Sequence, residues 1–391
     1  MEIPLFFTPV DYQKINFDPQ PYKNRIGNQI RALESDFVED DLESFDLVLL
    51  GVNDDRVSPQ NKGCAQAPDE IRKYLYRLFT RTENLKIGDL GNIAVGNQIS
   101  DTYFALRTTI AKLLRTKVIP IVIGGSVDLT YPIYLGYEDF GRVINLVSID
   151  ESIQKIEAGD VSSPDGWLSK IIYRKPNFLF NFSNIGYQTY FTDPDEIKLL
   201  NQLYFDVYRL GEIRDKIEEA EPILRNADLL SFNVSAIRHA DAPGNGQASP
   251  HGFFGEEACQ LMRYAGLSSK ISCVGFFESN PLFDPHGQTA HLLAQMIWHF
   301  LEGFAKRSSD FPDENSEGFI KYIVNSTSPE PDLVFYKCKT TDRWWMQLPV
   351  SREKEKELCR HIMVPCSYND YTCACNNEIP DRWWKAYQKL M

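Results

Sequence analysis

No stretch of this sequence sustains the run of roughly 20 apolar residues that a membrane-spanning helix requires, so membrane insertion is not expected. The opening Met1-Glu2-Ile3-Pro4-Leu5-Phe6-Phe7 lacks a basic segment and a sustained apolar one, and does not read as a secretory signal. Blocks of lysine and arginine are missing too. With a net charge of −13 the mean surface repels phosphate, which argues against nucleic acid and anionic membrane as partners. The Arg352–Arg360 stretch alternates in sign and reads as a solvated helix face. Paired Cys-x-x-Cys motifs are absent, although the chain has eight cysteines. Cys64, Cys259 and Cys273 lie in apolar or helical surroundings and read as small core residues. Cys338, Cys359, Cys366, Cys373 and Cys375 crowd the end of the chain near His361, where the spacing fits reduced thiols better than structural zinc. A cytoplasmic protein is expected.

What is present is core-forming material. At 391 residues, with 43% hydrophobic and 13% aromatic content, the chain can bury one large α/β domain with an appendage, or two medium domains. Short apolar runs recur at Asp46–Val52, Ile119–Gly125, Arg142–Asp150, Phe178–Gly186, Val207–Ile213, Leu229–Ser235 and Ser272–Glu278. Helical patterns fall between them, over Ala67–Thr80, Thr102–Arg115, Glu256–Ala265 and Gln288–Lys306. Continuous apolar strands alternating with amphipathic helices predict a mainly parallel, doubly wound sheet in a three-layer α/β/α sandwich. Ligands of such sheets bind beyond the carboxyl ends of the strands.

Four segments sit at such ends: Gly124-Gly125-Ser126-Val127-Asp128, Asp150-Glu151-Ser152-Ile153-Gln154, Ser231-Phe232-Asn233-Val234-Ser235 and Glu278-Ser279-Asn280-Pro281. In order and spacing they resemble the signature segments of the ureohydrolases, the arginase, agmatinase and formiminoglutamase family. Upstream, Gly51-Val52-Asn53, Lys62-Gly63-Cys64-Ala65 and Ala67-Pro68-Asp69-Glu70-Ile71-Arg72 are similar to that family's amino-terminal pattern, and Asp284, Thr289 and Ala290 match its closing segment. The resemblance runs from about Phe45 to about Gly303 and implies an arginase-like fold.

The family's signatures read Gly-Gly-x-His, Asp-x-His-x-Asp, Ser-Phe-Asp-x-Asp and Glu-x-Asn-Pro, and the side chains of the first three hold two manganese ions and a bridging hydroxide. Carried over position by position, those ligands fall on Val127, Asp150, Ser152, Gln154, Asn233 and Ser235, of which Asp150 alone keeps a ligand type. Manganese favours carboxylate and imidazole donors, and a bound water becomes acidic only beside metal charge. Four clustered carboxylates without metal would repel one another, whereas neutral replacements are easier to bury. The expectation is therefore a site adapted to having no cofactor, with the family's manganese lost.

Ser126, Asp150, Ser152, Gln154, Asn233, Ser235 and Glu278 are the expected pocket residues, none of them catalytic. Glu278 reads either as a carboxylate awaiting a cationic or amide ligand or as a turn-capping acid. A rebuilt metal site would draw on Asp150, His239 and Asp241, with Asp128 and Glu151 nearby; the alternation of side chains along a strand argues against Glu151 as a direct substitute. A serine nucleophile finds no support, since Ser126 lacks the Gly-x-Ser-x-Gly turn.

Residues 1–307 are expected to form the ureohydrolase-like domain, and 308–391 an extension docked on it or on a partner. Ser308–Glu317 reads as an acidic linker. Asp342-Arg343-Trp344-Trp345 and Asp381-Arg382-Trp383-Trp384 repeat one tetrapeptide in unlike surroundings, and at least one tryptophan of each pair should be buried. The functional expectation is a catalytically inactive binding or scaffolding protein with protein partners or self-association. A sensor that keeps the pocket without the chemistry is close to that reading. The alternative is a formiminoglutamase- or arginase-like hydrolase of amidine C–N bonds with a rebuilt metal site.

Overall fold

Strands β3 (Leu47–Val52), β5 (Ile119–Ile123), β6 (Ile144–Ile149), β9 (Leu229–Asn233) and β10 (Cys273–Phe277) are buried at every position. Such strands can lie only in the middle of a covered parallel sheet. The computed structural model describes residues 3–18, 22–33, 39–80, 85–157, 166–308, 310–312, 317–325, 331–350 and 358–390. In it these strands form the centre of a ten-stranded sheet, with order β1-β4-β3-β5-β10-β9-β6-β7-β8 and β2 beside β4. The outer strands are β1 (Phe7–Thr8), β2 (Ile30–Ala32), β4 (Ile87–Ile93), β7 (Leu179–Tyr187) and β8 (Asp206–Arg209). All pairings are parallel except β1 with β4. Helices cover both faces. Ala67–Leu75, Gly255–Leu267 and Gln288–Phe304 pack on one core cluster, while Ile99–Arg115 and Thr130–Phe140 pack on the other. The sheet order places β5, β10, β9 and β6 side by side, so the four signature segments emerge next to one another along one edge.

Two of the elements expected from the sequence take another form. The run Val207–Ile213 is not one strand: β8 stops at Arg209 and a helix spans Leu210–Asp215. Leu210 and Ile213 stand one helical turn apart and are both buried, and the Glu212 carboxylate accepts the Arg209 N–H at 3.1 Å, capping the new helix. The helix expected over Ala67–Thr80 ends at Leu75, because the carbonyls of Tyr76 and Leu78 accept the N–H groups of Gly27 and Ile26 instead. Half of the linker expected over Ser308–Glu317 and most of the charged face over Arg352–Arg360 fall outside the described residues.

After Asp310 the chain builds a second, antiparallel sheet, β11 (Phe319–Val324), β12 (Leu333–Cys338), β13 (Trp344–Gln347) and β14 (Met363–Cys366), with helices Tyr368–Cys375 and Asp381–Leu390. Trp344, Trp345 and Trp383 are buried and Trp384 is 40% exposed. Each buried indole stabilises the fold by on the order of 3 kcal/mol. This layer docks at the amino-terminal ends of β6, β9 and β10. The buried Arg225 donates to the carbonyls of Trp344 (3.1 Å) and Cys366 (3.2 Å), and its guanidinium lies 4.6 Å from the Trp345 ring centre. Asp228, fully buried, accepts the Asn145 N–H at 3.0 Å and pairs with Arg360 of the extension. The cysteines are all free, Cys359 and Cys375 exposed, and among the described residues no three His, Cys, Asp or Glu side chains are placed so that they could hold a metal ion.

Candidate functional site

The chain leaves β5 at Ile123 and passes through Gly124-Gly125, where there is no space for a side chain: a Cβ on Gly125 would lie 1.9 Å from the Asp54 carbonyl oxygen. That close approach lets Ser126 N–H bond to Asp54 O at 3.2 Å and Gly125 O accept Glu278 N–H at 2.8 Å, which fixes the floor of a cleft of about 260 Å3. Ser126, Val127, Asp150, Ser152, Gln154, Asn233, Ser235 and Glu278 all line it. Asp128 and Glu151 line it as well. Lysine, arginine and histidine are absent from the lining, whose polar groups are carboxyls, amides and serine hydroxyls.

Asp150 stands just beyond β6 and is 4% exposed. One carboxylate oxygen accepts from Asn233 Nδ2 at 3.1 Å, and the other from Ser235 Oγ at 3.2 Å and the Ser152 N–H at 3.4 Å. Burial pushes its pKa up to about 6, against the opposing effect of those donors. Asn233 Oδ1 in turn accepts the Ser235 N–H at 3.0 Å. Asp128 accepts from the hydroxyls of Ser126 and Tyr103, and burial raises its pKa.

Glu278 is held through both its carboxylate and its backbone carbonyl. Its carboxylate accepts from Val127 N–H (2.9 Å), Ser58 Oγ (3.0 Å) and Asn61 Nδ2 (2.8 Å), and its carbonyl from Asn61 Nδ2 (2.9 Å) and Asn245 Nδ2 (3.0 Å). Of the two roles open to it in the sequence, the geometry matches the bracing one. Glu151 differs. Period-two alternation ends where β6 ends, at Ile149, and Glu151 turns into the cleft. Its Oε2 and the Oε1 of Gln154 are buried without a hydrogen-bond partner. Burial, followed by the charge of Asp150, pushes the Glu151 pKa up to about 8.

His239 and Asp241 do not join Asp150. His239 is exposed, and Asp241 pairs with Arg238 at 2.9 Å, accepts the Gly255 N–H at 2.9 Å and lines a separate hollow. Ser58, Asn61 and Asn245 were not singled out in the sequence. A signal for Asn61 was its place directly before Lys62-Gly63-Cys64-Ala65.

A family model described as the arginase family matches residues 45–302. The formimidoylglutamase of Staphylococcus haemolyticus is 25% identical over 307 residues, covering 73% of this chain and 94% of that protein. The mitochondrial agmatinase of Gallus gallus is 22% identical, covering 68% and 82%. Among solved structures, Trypanosoma cruzi formiminoglutamase with Mn2+ superposes with a TM-score of 0.65 at 21% identity, covering 73% of this chain and 99% of that one. The formimidoylglutamase of Bacillus subtilis gives 0.64 at 16% identity, covering 76% and 98%.

These findings correct one expectation. A cofactor-free protein does not stand as the reading of this chain, because the solved neighbours include a formiminoglutamase with Mn2+, and manganese belongs in every test of the cleft. The donors themselves match a two-ion cluster poorly. The six positions hold one carboxylate, and both its oxygens already accept hydrogen bonds from Asn233 and Ser235.

Proposed function

The chain belongs to the arginase family, and from that premise we propose that its cleft binds a cationic or amide-bearing ligand without hydrolysing it. The observation that carries this reading is the Asp150 hydrogen-bond set. Asn233 Nδ2 and Ser235 Oγ aim donors at the Asp150 carboxylate, at positions where ureohydrolase signatures place metal-binding carboxylates. An amide nitrogen is a donor and has no lone pair for a cation. The unpartnered oxygens of Glu151 and Gln154 leave acceptors for a ligand that brings N–H groups. In the same reading the protein acts through binding, as a partner or scaffold.

The alternative is a formiminoglutamase-like hydrolase with a rebuilt site. The names of the relatives favour it, and so does the free oxygen of Glu151 beside Asp150. One experiment separates the two. With manganese supplied throughout, arginine, agmatine and formiminoglutamate are each incubated with the protein, and urea and formamide release is measured beside calorimetric binding. Binding of agmatine, which carries no carboxylate, without product from any of the three is expected. Sustained turnover that disappears in Glu151→Gln would overturn the binding-only reading and support the rebuilt site.

A further inference from the structure

The inference drawn here rests on the binding reading above and names its ligand. We propose that the cleft receives an arginine side chain presented by a partner protein, with apolar residues of that partner closing over the cleft's rim. Acidic lining alone is not a site. The independent observation is Glu151, only 8% exposed, with Oε2 unpartnered, lining the same cleft as Gln154, whose Oε1 is likewise unpartnered. Two buried acceptors without donors are costly unless a ligand supplies N–H groups, and a guanidinium brings five in one plane.

The lining also says what is not recognised. A free amino acid carries an α-carboxylate, and no lysine, arginine or histidine lines the cleft to meet it. The nearby Arg56 is committed to Asp54 through Nε at 3.0 Å and Nη2 at 2.5 Å. A side chain within a polypeptide has no such carboxylate.

The rim points to a macromolecule. Two exposed apolar pairs neighbour cleft residues. Leu282 and Phe283 are 64% and 48% exposed, and the Phe283 ring lies 3.2 Å from where a Cβ of Gly246 would stand, beside the cleft residues Gln60 and Gln247. Tyr190 and Phe191 are 64% and 47% exposed, with ring centres 4.7 Å apart. Tyr190 OH bonds to Gln188, whose N–H donates to the Glu151 carbonyl at 2.7 Å, which ties this pair to the cleft wall. A small cation leaves these four side chains in water, whereas a polypeptide flanking its arginine with apolar residues would bury them.

The test uses the full chain, with manganese present, and four probes: acetyl-Leu-Arg-Phe-amide, its citrulline counterpart, agmatine and free L-arginine. The capped arginine peptide is expected to bind at least about tenfold tighter than free L-arginine and than the citrulline peptide. Glu151→Gln should lower its affinity by about tenfold or more. Leu282→Ser combined with Phe283→Ser should weaken the peptide by about tenfold and leave agmatine unchanged. Agmatine binding with no peptide preference, or a peptide affinity that ignores the rim substitutions, overturns this inference and leaves the binding reading standing. Absence of binding by all four probes overturns both.

Discussion

Glu278 holds a conformation that its residue type disfavours. Its φ of +66° lies in the left-handed region, at a cost of roughly 1–3 kcal/mol for a side chain other than glycine. Bonds from Val127, Ser58 and Asn61 to the carboxylate, and from Asn61 and Asn245 to the carbonyl, hold it there. Glu278→Gln turns one of its acceptor oxygens into a donor that faces another donor. A loss of about 2 kcal/mol in urea unfolding is expected; an unchanged midpoint would show that the brace is dispensable. The residues lining the cleft were legible in the sequence wherever they terminate strands, as Asp150, Asn233 and Glu278 do, because the strand pattern itself points to one edge of the sheet. Ser58, Asn61 and Asn245 were not, since they reach Glu278 from loops whose path no periodicity encodes. Glu151 was discounted by an alternation rule that stops applying two residues too early for it.

At the level of elements, β4 escaped detection because Gly88, Asp89, Gly91 and Asn92 break its apolar run. Its stability has another source. The fully buried Arg72 forks onto Asp89 through Nε and Nη2, both at 2.8 Å, and Tyr76 OH adds a third bond at 2.8 Å. The seam between the sheets holds a pH-sensitive counterpart in His361. Its ring stacks 4.2 Å from Phe180, and burial first, then the charge of Lys270, hold its pKa well below the ordinary value. A base with a depressed folded-state pKa binds fewer protons folded than unfolded, so its contribution is present above about pH 6.5 and is lost as pH falls below that. Tryptophan emission during acid titration should therefore show a loss of stability between about pH 6.5 and 5 that His361→Gln removes. An identical profile in the variant would place the acid sensitivity elsewhere.

Across the whole molecule, parallel strands, flanking helices and the family resemblance were readable because buried strands carry a strong apolar signature. The fold of the extension was not, because its four strands are only four to six residues long, too short to carry a clear periodicity. Its attachment at Arg225 and Asp228 gives a whole-chain prediction. Ending the chain at Arg307 strips Arg225 of the Trp344 and Cys366 carbonyls and Asp228 of Arg360. A fall of about 3 kcal/mol or more in stability, with reduced solubility, is expected by denaturant unfolding and sedimentation. A shortened chain with unchanged melting and sedimentation would assign the buried tryptophans a role outside this domain's stability.

The extension grips the amino-terminal ends of the same central strands whose carboxyl-terminal ends open into the cleft, with the length of the sheet between. The thiols of Cys359 and Cys375 are the exposed ones, and both lie on that extension. Maleimide coupling through them would tether the molecule by its base and turn the cleft toward solution, so that a ligand is met at a uniformly oriented surface.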